Sequence, residues 1–187
     1  EYISWLANVA ASCEKILQEV RNLQRSELRE AGEGFDIKKQ VGSSTMAHKK
    51  NPIKSENACG LARIVRAMII PTYENALLWH ERDLANSSSE RFTLSHASAL
   101  CEDVLAKTRD VLTNMWVDAE RCLENIKSQR GLVMAEKVMM ELVDYGIPRD
   151  EAHEILRAAS FEAVDKKIEL IDVCSRTPEI AAAFSAD

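Results

Sequence analysis

Apolar residues recur three and four positions apart along two long segments of the chain, a spacing that puts them on one face of an α-helix. In the first segment they are Leu6, Val9, Cys13, Ile16, Val20 and Leu23. In the second segment they are Leu94, Ala97, Cys101, Val104, Thr108, Val111 and Met115. These patterns predict two long helices that pack in a parallel or antiparallel bundle.

A third helix is predicted between these two segments. It should start at Asn51 and Pro52, because asparagine suits the N-cap and proline suits the first helical position. Its predicted inward face consists of Ile53, Leu61, Ile64, Val65, Met68 and Ile69. Pro71 should kink or break it, because proline lacks an N–H and its ring clashes with the preceding turn.

Shorter helical patterns follow Trp116. They cover about 119–127, 132–145 and 149–171, and a last turn or two begins after Thr177 and Pro178. The alternation of apolar and polar residues that is typical of strands is absent from the sequence. We therefore predict an all-α fold, with a long-helix bundle segment in residues 1–117 and a small helical domain in residues 118–187.

A loop of about 20 residues, from about 32 to 51, is predicted between the first two helices, since Gly32 and Gly34 interrupt the helical pattern. Residues 36–51 contain four lysines and one acid. Gly42 and the hydroxyl residues after it offer backbone N–H groups that suit an anion. The residues alone leave two interpretations open, an anion-binding loop or a solvated linker.

Charge and composition narrow the classes of protein. The chain has 187 residues with 24 Lys and Arg against 30 Asp and Glu, a net charge of −6, and no long basic run, which argues against a nucleic-acid surface. Five widely spaced cysteines without a C-x-x-C pair indicate neither disulfides nor zinc, and favour a reducing cytoplasm. No apolar stretch suggests export or a membrane span. Because a helical pattern is already running by Ile3, we expect a piece of a longer protein.

The string GSSTMAHKKNP, from Gly42 to Pro52, resembles the loop signature G-S-S-x-M-P-x-K-x-N-P of the fumarase/aspartase superfamily. This resemblance implies a bundle of long helices and an elimination that releases fumarate. Ala47 departs from the signature, which has proline at that position. Alanine at this position implies a less rigid loop.

The resemblance assigns roles to individual residues. It makes Ser43 the general base, with Ser44 as the weaker serine candidate. Lys49 would activate the base, and Lys49, Asn51 and loop amides would stabilise the developing enolate. It also implies that three further residues contribute to substrate binding. These are Met46, Glu56 and Asn57.

A second motif, WHERDLANSSSER in residues 79–91, resembles the W-H-E-R-D-x-x-x-S-S-x-E-R segment of bacterial and archaeal adenylosuccinate lyases. In that family the positions of Arg82, Ser87 and Arg91 match contacts to the AMP portion of the substrate. The residues independently suggest a capping box, Ser87-x-x-Glu90, at a helix start that suits a phosphate. The alternative is that both arginines pair with neighbouring acids on a solvated surface.

The resemblance also says what the chain lacks. The general acid of the family is a histidine in a T-H-x-x-H-A segment, which none of His48, His80, His96 and His153 matches, so the chain should be inactive alone. No metal or organic cofactor is implied, and the expected assembly is a homotetramer whose active sites are shared between subunits. Two alternatives stay open: another lyase of the superfamily, such as argininosuccinate lyase or carboxymuconate cycloisomerase, and a non-catalytic helical assembly module.

Overall fold

The computed structural model describes residues 1–34 and 50–184. Most of the described residues are helical, which confirms the predicted all-α fold. The chain forms two compact units, Glu1–Asp118 and Ala119–Asp187. Each unit has its own apolar core.

The first unit is a bundle of α1 (Tyr2–Leu23), α2 (Ile53–Ala67) and α4 (Ala85–Asn114), with the short helix α3 (Ile69–Glu74) between α2 and α4. The three long helices all pack against one another. At one end of the bundle the core contains Ile3, Leu6, Val65 and Ala97, and at the other end it contains Leu17, Val20, Ala58 and Val111. Thus α2 runs antiparallel to α1 and α4, and its first residues lie at the last turns of α4.

The predicted faces of α1 and α4 are partly wrong. On α1 the buried stripe is Ile3, Leu6, Ala10, Cys13, Leu17 and Val20, and Ile16 is 42% exposed. On α4, Thr93 is buried and Leu94 is 42% exposed, whereas the prediction holds for Ala97 through Val111. On α1 the adjacent Leu17 takes the inward position in place of Ile16, and on α4 the smaller Thr93 takes it in place of Leu94.

The predicted face of α2 needs a larger correction. Its buried residues are Ser55, Ala58, Cys59, Ala62 and Val65, and all but Val65 are small. The larger Ile53 and Ile64, which we predicted to face inward, are exposed. Small side chains allow the backbones of neighbouring helices to approach closely, so α2 packs through backbone proximity more than through bulky side chains.

The predicted break at Pro71 is confirmed. Helix α2 ends at Ala67, the residue whose carbonyl lies four positions before Pro71 and would meet its ring. Met68 separates α2 from α3 and retains a helical backbone, so no loop lies between the two helices.

The first unit also contains a short antiparallel pair of strands, which we did not predict from the sequence. Strand β1 (Ala31–Gly32) pairs with β2 (Trp116–Val117), and the Asp118 amide donates to the Glu30 carbonyl at 2.8 Å. Beside this pair, a Cβ at Gly34 would lie 2.3 Å from the Asn114 carbonyl oxygen. The residues leading into segment 35–49 are therefore held against the end of α4.

Gly34→Ala should destabilise the protein by about 1–3 kcal/mol, because the added methyl group overpacks a contact with backbone that cannot rotate away. Gly60→Ala is the matched control, since nothing lies within 4 Å of a Cβ at that position in α2. Alanine there should stabilise by about 0.5–1 kcal/mol through helix propensity. Chemical denaturation of both variants checks the pair, and equal effects of the same sign would contradict it.

The second unit consists of short helices around one core. They are α5 (Ala119–Ser128), a 3-10 turn (Leu132–Met134), α6 (Ala135–Asp144), α7 (Arg149–Lys166), α8 (Leu170–Cys174) and α9 (Pro178–Phe184). The core is built around Leu142, Leu156 and Ile180. Helix α7 ends five residues before the predicted boundary, because Lys167 adopts a left-handed backbone with φ of 54° and the chain starts the separate helix α8.

Candidate functional site

The loop signature lies mostly outside the described residues. This holds for Ser43, Ser44, Met46 and Lys49. The structure does describe both flanks of the segment, from Ala31 to Gly34 on one side and from Lys50 onward on the other. These flanks define where the candidate site is attached to the bundle.

Glu33 caps the start of α2. Its Oε1 accepts a hydrogen bond from the Lys54 amide at 3.0 Å, and its Oε2 accepts from the amide and the hydroxyl of Ser55 at 2.9 and 2.8 Å. A carboxylate in this place satisfies N–H groups that have no partner within the helix and interacts favourably with the helix dipole. Sequence reasoning missed Glu33, which belongs to no motif that we identified.

The predicted cap of α2 is therefore wrong. Helix α2 begins at Ile53, Pro52 occupies the N-cap position, and no side chain at that position caps the helix. Asn51 lies one residue earlier, where its carbonyl accepts from the Ile53 amide at 2.9 Å. The capping acceptor comes instead from Glu33, about twenty residues earlier in the chain.

Gln24 connects the two flanks of segment 35–49. Its Oε1 accepts a hydrogen bond from the Glu33 amide at 2.8 Å, and its Nε2 donates to the Lys50 carbonyl at 2.9 Å. One side chain at the end of α1 thus bridges both flanks. This contact also has no signature in the sequence.

Glu56 and Asn57 lie in the first turns of α2 and are both exposed. Lys54, in the same turn, forms an ion pair with Asp110 of α4. Asp110 also accepts a hydrogen bond from the Asn114 side chain at 3.0 Å. The predicted residues Asn51, Glu56 and Asn57 therefore all lie at the end of the bundle where α4 finishes.

The capping box predicted at Ser87 and Glu90 is wrong. Helix α4 begins at Ala85, so Ser87 is its third residue, and its N-cap position is Leu84. Asp83 caps the helix through its Oδ1, which accepts from the Ala85 amide at 2.8 Å, and its Oδ2 accepts from the Trp79 amide, before the helix, at 3.1 Å. Asp83 thus closes the turn that contains Arg82.

These hydrogen bonds, from Ala85 first and Trp79 second, hold the pKa of Asp83 below its usual value. A lowered pKa means that the bonds stabilise the fold above the pKa of an unfolded aspartate and lose this effect as pH falls through the folded value. Asp83→Ala should therefore lower the melting temperature at neutral pH, and the difference from the wild type should shrink in acid. Thermal unfolding across pH checks this, and a difference that does not depend on pH would contradict it.

The residues that resemble nucleotide contacts lie around the start of α4. Ser87 and Arg91 are four residues apart on this helix and therefore share a face, and Arg82 precedes the helix. Arg82 and Arg91 are exposed, so their guanidinium groups are accessible to an anion. Asn86 is buried, and its Oδ1 accepts no hydrogen bond from the described part of the chain.

The two groups of predicted residues lie at opposite ends of the bundle. Ser87 is in the first turn of α4, whereas Asp110, which pairs with Lys54 of α2, is in its last turns. At 1.5 Å per residue these points are roughly 35 Å apart. The start of α4 and the start of α2 therefore do not form one site within a single chain.

Comparison with known proteins shows to which family the chain belongs. A model described as "Adenylosuccinate lyase C-terminus" matches residues 131–187, and one described as "Lyase" matches residues 1–67. A curated adenylosuccinate lyase from Archaeoglobus fulgidus is 45% identical over 187 residues, and one from Methanothermobacter thermautotrophicus is 47% identical over 180 residues. The chain belongs to the adenylosuccinate lyase family. This family is part of the fumarase/aspartase superfamily.

The match to the adenylosuccinate lyase family covers all of the chain but less than half of each relative. The shares are 100% of the chain and 42% of the Archaeoglobus protein, and 96% of the chain and 40% of the Methanothermobacter protein. The chain thus spans about two fifths of the length of these relatives.

Solved structures agree with the superfamily. A fumarate lyase from Mesorhizobium sp. BNC1 has a TM-score of 0.81 at 27% identity, and covers 97% of this chain and 39% of that one. A 3-carboxy-cis,cis-muconate lactonizing enzyme from Pseudomonas putida has a TM-score of 0.78 at 29% identity, with the same coverage. Across residues 1–34 and 50–184, we find no helix with the length and hydropathy of a membrane span.

Proposed function

We propose that the whole protein is an adenylosuccinate lyase of purine biosynthesis. It would cleave adenylosuccinate into fumarate and AMP, and would release fumarate in the same way from the succinocarboxamide ribonucleotide. The observation that carries this proposal is the 45–47% identity to adenylosuccinate lyases along at least 96% of the chain, which includes both motifs. The predicted domains, 1–117 and 118–187, and a cytoplasmic location are part of the same proposal.

The chemistry that we propose starts at the loop signature. Ser43 removes a proton from the carbon beside a carboxylate, and Lys49 lowers the pKa of the serine hydroxyl so that it can act as a base. Lys49 and Asn51 then stabilise the charge that develops on the enolate. Met46, Glu56 and Asn57 contact the substrate around the reacting carbon. The histidine that protonates the leaving nitrogen would come from outside this sequence.

The start of α4 would bind the nucleotide phosphate. Arg82 and Arg91 supply positive charge, and Ser87 supplies a hydroxyl on the same face as Arg91. Their exposure and their position at the N-terminus of a long helix support this role. The alternative is that both arginines only pair with neighbouring acidic residues on a solvated surface.

The separation of the two regions supports a shared active site. No small-molecule substrate spans the roughly 35 Å that separate Ser87 from Asp110 along α4. If Asn51, directly before α2, and Arg91 contact the same substrate, they come from different subunits. We therefore propose a homotetramer in which each active site combines the loop of one subunit with the start of α4 from another.

The test is to measure turnover by the purified whole protein with adenylosuccinate, argininosuccinate and carboxymuconate, and to ask whether AMP competes with the substrate. We expect turnover of adenylosuccinate and competitive inhibition by AMP. Turnover of either other substrate without adenylosuccinate cleavage would contradict the proposal. A whole protein without any lyase activity would favour the non-catalytic assembly module.

A second candidate function rests on a specific similarity. The Pseudomonas putida 3-carboxy-cis,cis-muconate lactonizing enzyme has a TM-score of 0.78 to this chain, close to the value for the fumarate lyase. That similarity favours another activity of the superfamily at the same loop. The motif in residues 79–91 argues against this candidate, because it provides two arginines that fit a phosphate.

A further inference from the structure

Glu33 is a buried carboxylate at the junction between segment 35–49 and the bundle. Only 4% of the residue is exposed, and within the described residues its two oxygens accept three hydrogen bonds, from the Lys54 amide and from the amide and hydroxyl of Ser55. We infer that Glu33, assisted by Gln24, is a positioning residue for the elimination: it fixes the start of α2 and with it Asn51, which directly precedes the helix. This inference rests on the proposed function, because it assumes that Asn51 acts on the substrate.

The hydrogen bonds of Glu33 determine how the start of α2 is oriented. The Lys54 and Ser55 amides, which donate to Glu33, belong to the first turn of α2 and have no acceptor within the helix. Ser55 is fully buried, so water cannot reach it. Without the Glu33 carboxylate, its amide and hydroxyl would have no hydrogen-bond acceptor. A shift of this turn would move Lys50 and Asn51 with it, because they directly precede the helix.

Gln24 couples the other flank to the same point. It accepts a hydrogen bond from the Glu33 amide and donates one to the Lys50 carbonyl, at 2.8 and 2.9 Å. The two flanks of segment 35–49 are therefore fixed relative to each other through one side chain. Without this bridge the two flanks could move independently of each other.

Other contacts also stabilise the structure around the start of α2, independently of the Glu33 hydrogen bonds. Gly34 lies against the Asn114 carbonyl, and Lys54 pairs with Asp110, so α4 already holds the end of the bundle. Loss of the Glu33 bonds should therefore leave the fold in place and change the orientation of the first turn of α2. Misplacement of reacting groups by about 1 Å can cost about 10²-fold in rate.

The first test is Glu33→Gln in the whole protein. Glutamine keeps the shape of the side chain, but it has one acceptor oxygen, and its NH2 group would face a donor at Lys54 or Ser55. We expect kcat to fall about 10- to 100-fold with a change in KM of less than about threefold. Hydrogen exchange at the Lys54 and Ser55 amides should become faster. Ser55→Ala, which removes only the hydroxyl bond, should give a smaller loss of kcat.

Glu14→Gln is the matched control. Glu14 is a carboxylate on α1 that forms ion pairs with Arg66 and Arg63 of α2, far from the start of that helix. Its substitution should reduce stability at the α1–α2 interface without a change in kcat at a temperature where both variants are folded. This comparison separates positioning from a general loosening of the bundle.

Gln24→Met tests the bridge, because methionine has a similar length and forms neither of the two hydrogen bonds. If Glu33 and Gln24 act on the same element, their effects on kcat should not add in the double variant. Additive effects, or a kcat unchanged in Glu33→Gln while the wild type cleaves adenylosuccinate, would overturn the positioning role alone. A wild type without this activity would overturn the proposed function and the positioning role with it.

Discussion

Ser43→Ala should lower kcat for adenylosuccinate about 10²- to 10⁴-fold in the whole protein, because alanine cannot accept the proton that the elimination removes. KM should change little, since a serine hydroxyl contributes little to holding a multiply charged substrate. Steady-state kinetics with a continuous absorbance assay measure both constants. Retention of more than about a tenth of the wild-type kcat would show that Ser43 is not the base.

Ser44→Ala is the natural comparison for this prediction. The two serines are adjacent, so alanine at either position changes the same segment by one hydroxyl group. We expect the loss at Ser44 to be clearly smaller than the loss at Ser43. The opposite order would transfer the role of base to Ser44 and leave the proposed reaction intact.

Arg91→Ala should raise KM for adenylosuccinate about 10- to 100-fold, because a hydrogen bond to a charged group contributes about 1.5–3 kcal/mol and the phosphate would lose its partner. The effect on kcat should be smaller, since the phosphate is remote from the bond that breaks. Arg109→Ala is the matched control: it removes an exposed arginine from the same helix, near the opposite end. Equal effects at both positions would contradict a phosphate site at the start of α4.

Ser43→Ala and Arg91→Ala together test whether each active site is shared between subunits. Subunits with Ser43→Ala and subunits with Arg91→Ala, mixed and allowed to exchange, should regain activity at low substrate concentration. In random mixtures about one site in four would combine an intact loop with an intact Arg91. No gain above the sum of the separate variants would contradict active sites that combine residues of different subunits.

The helices of the fold could be predicted from the sequence, and their buried faces only in part. Periodicity identified α1 and α4, and Pro71 identified the end of α2. The face of α2 was wrong because hydrophobicity ranks Ile64 above Ala62, whereas close packing of two backbones selects the smaller residue. On α4 the smaller Thr93 is likewise buried, and Leu94 is exposed.

Capping was predicted at the correct ends of the helices but from the wrong residues. Local rules expect a cap within a few positions of the helix start, as Asp83 is for α4. They cannot find Glu33, because its link to α2 is made by tertiary structure across segment 35–49. The Ser43 loop and the arginines around the start of α4 were identifiable because each forms a contiguous motif, and the roles of these residues stay predictions.

The small residues on the inner face of α2 change which substitutions this helix tolerates. In most cores truncation of a large side chain is the harmful change, because it leaves a cavity. Here Ala58, Cys59 and Ala62 already touch their neighbours with almost no side chain to remove, so added volume is the harmful change. A sequence library for α2 would therefore have to vary residues such as Gly60 and Ile64 and leave the inner positions at their present size.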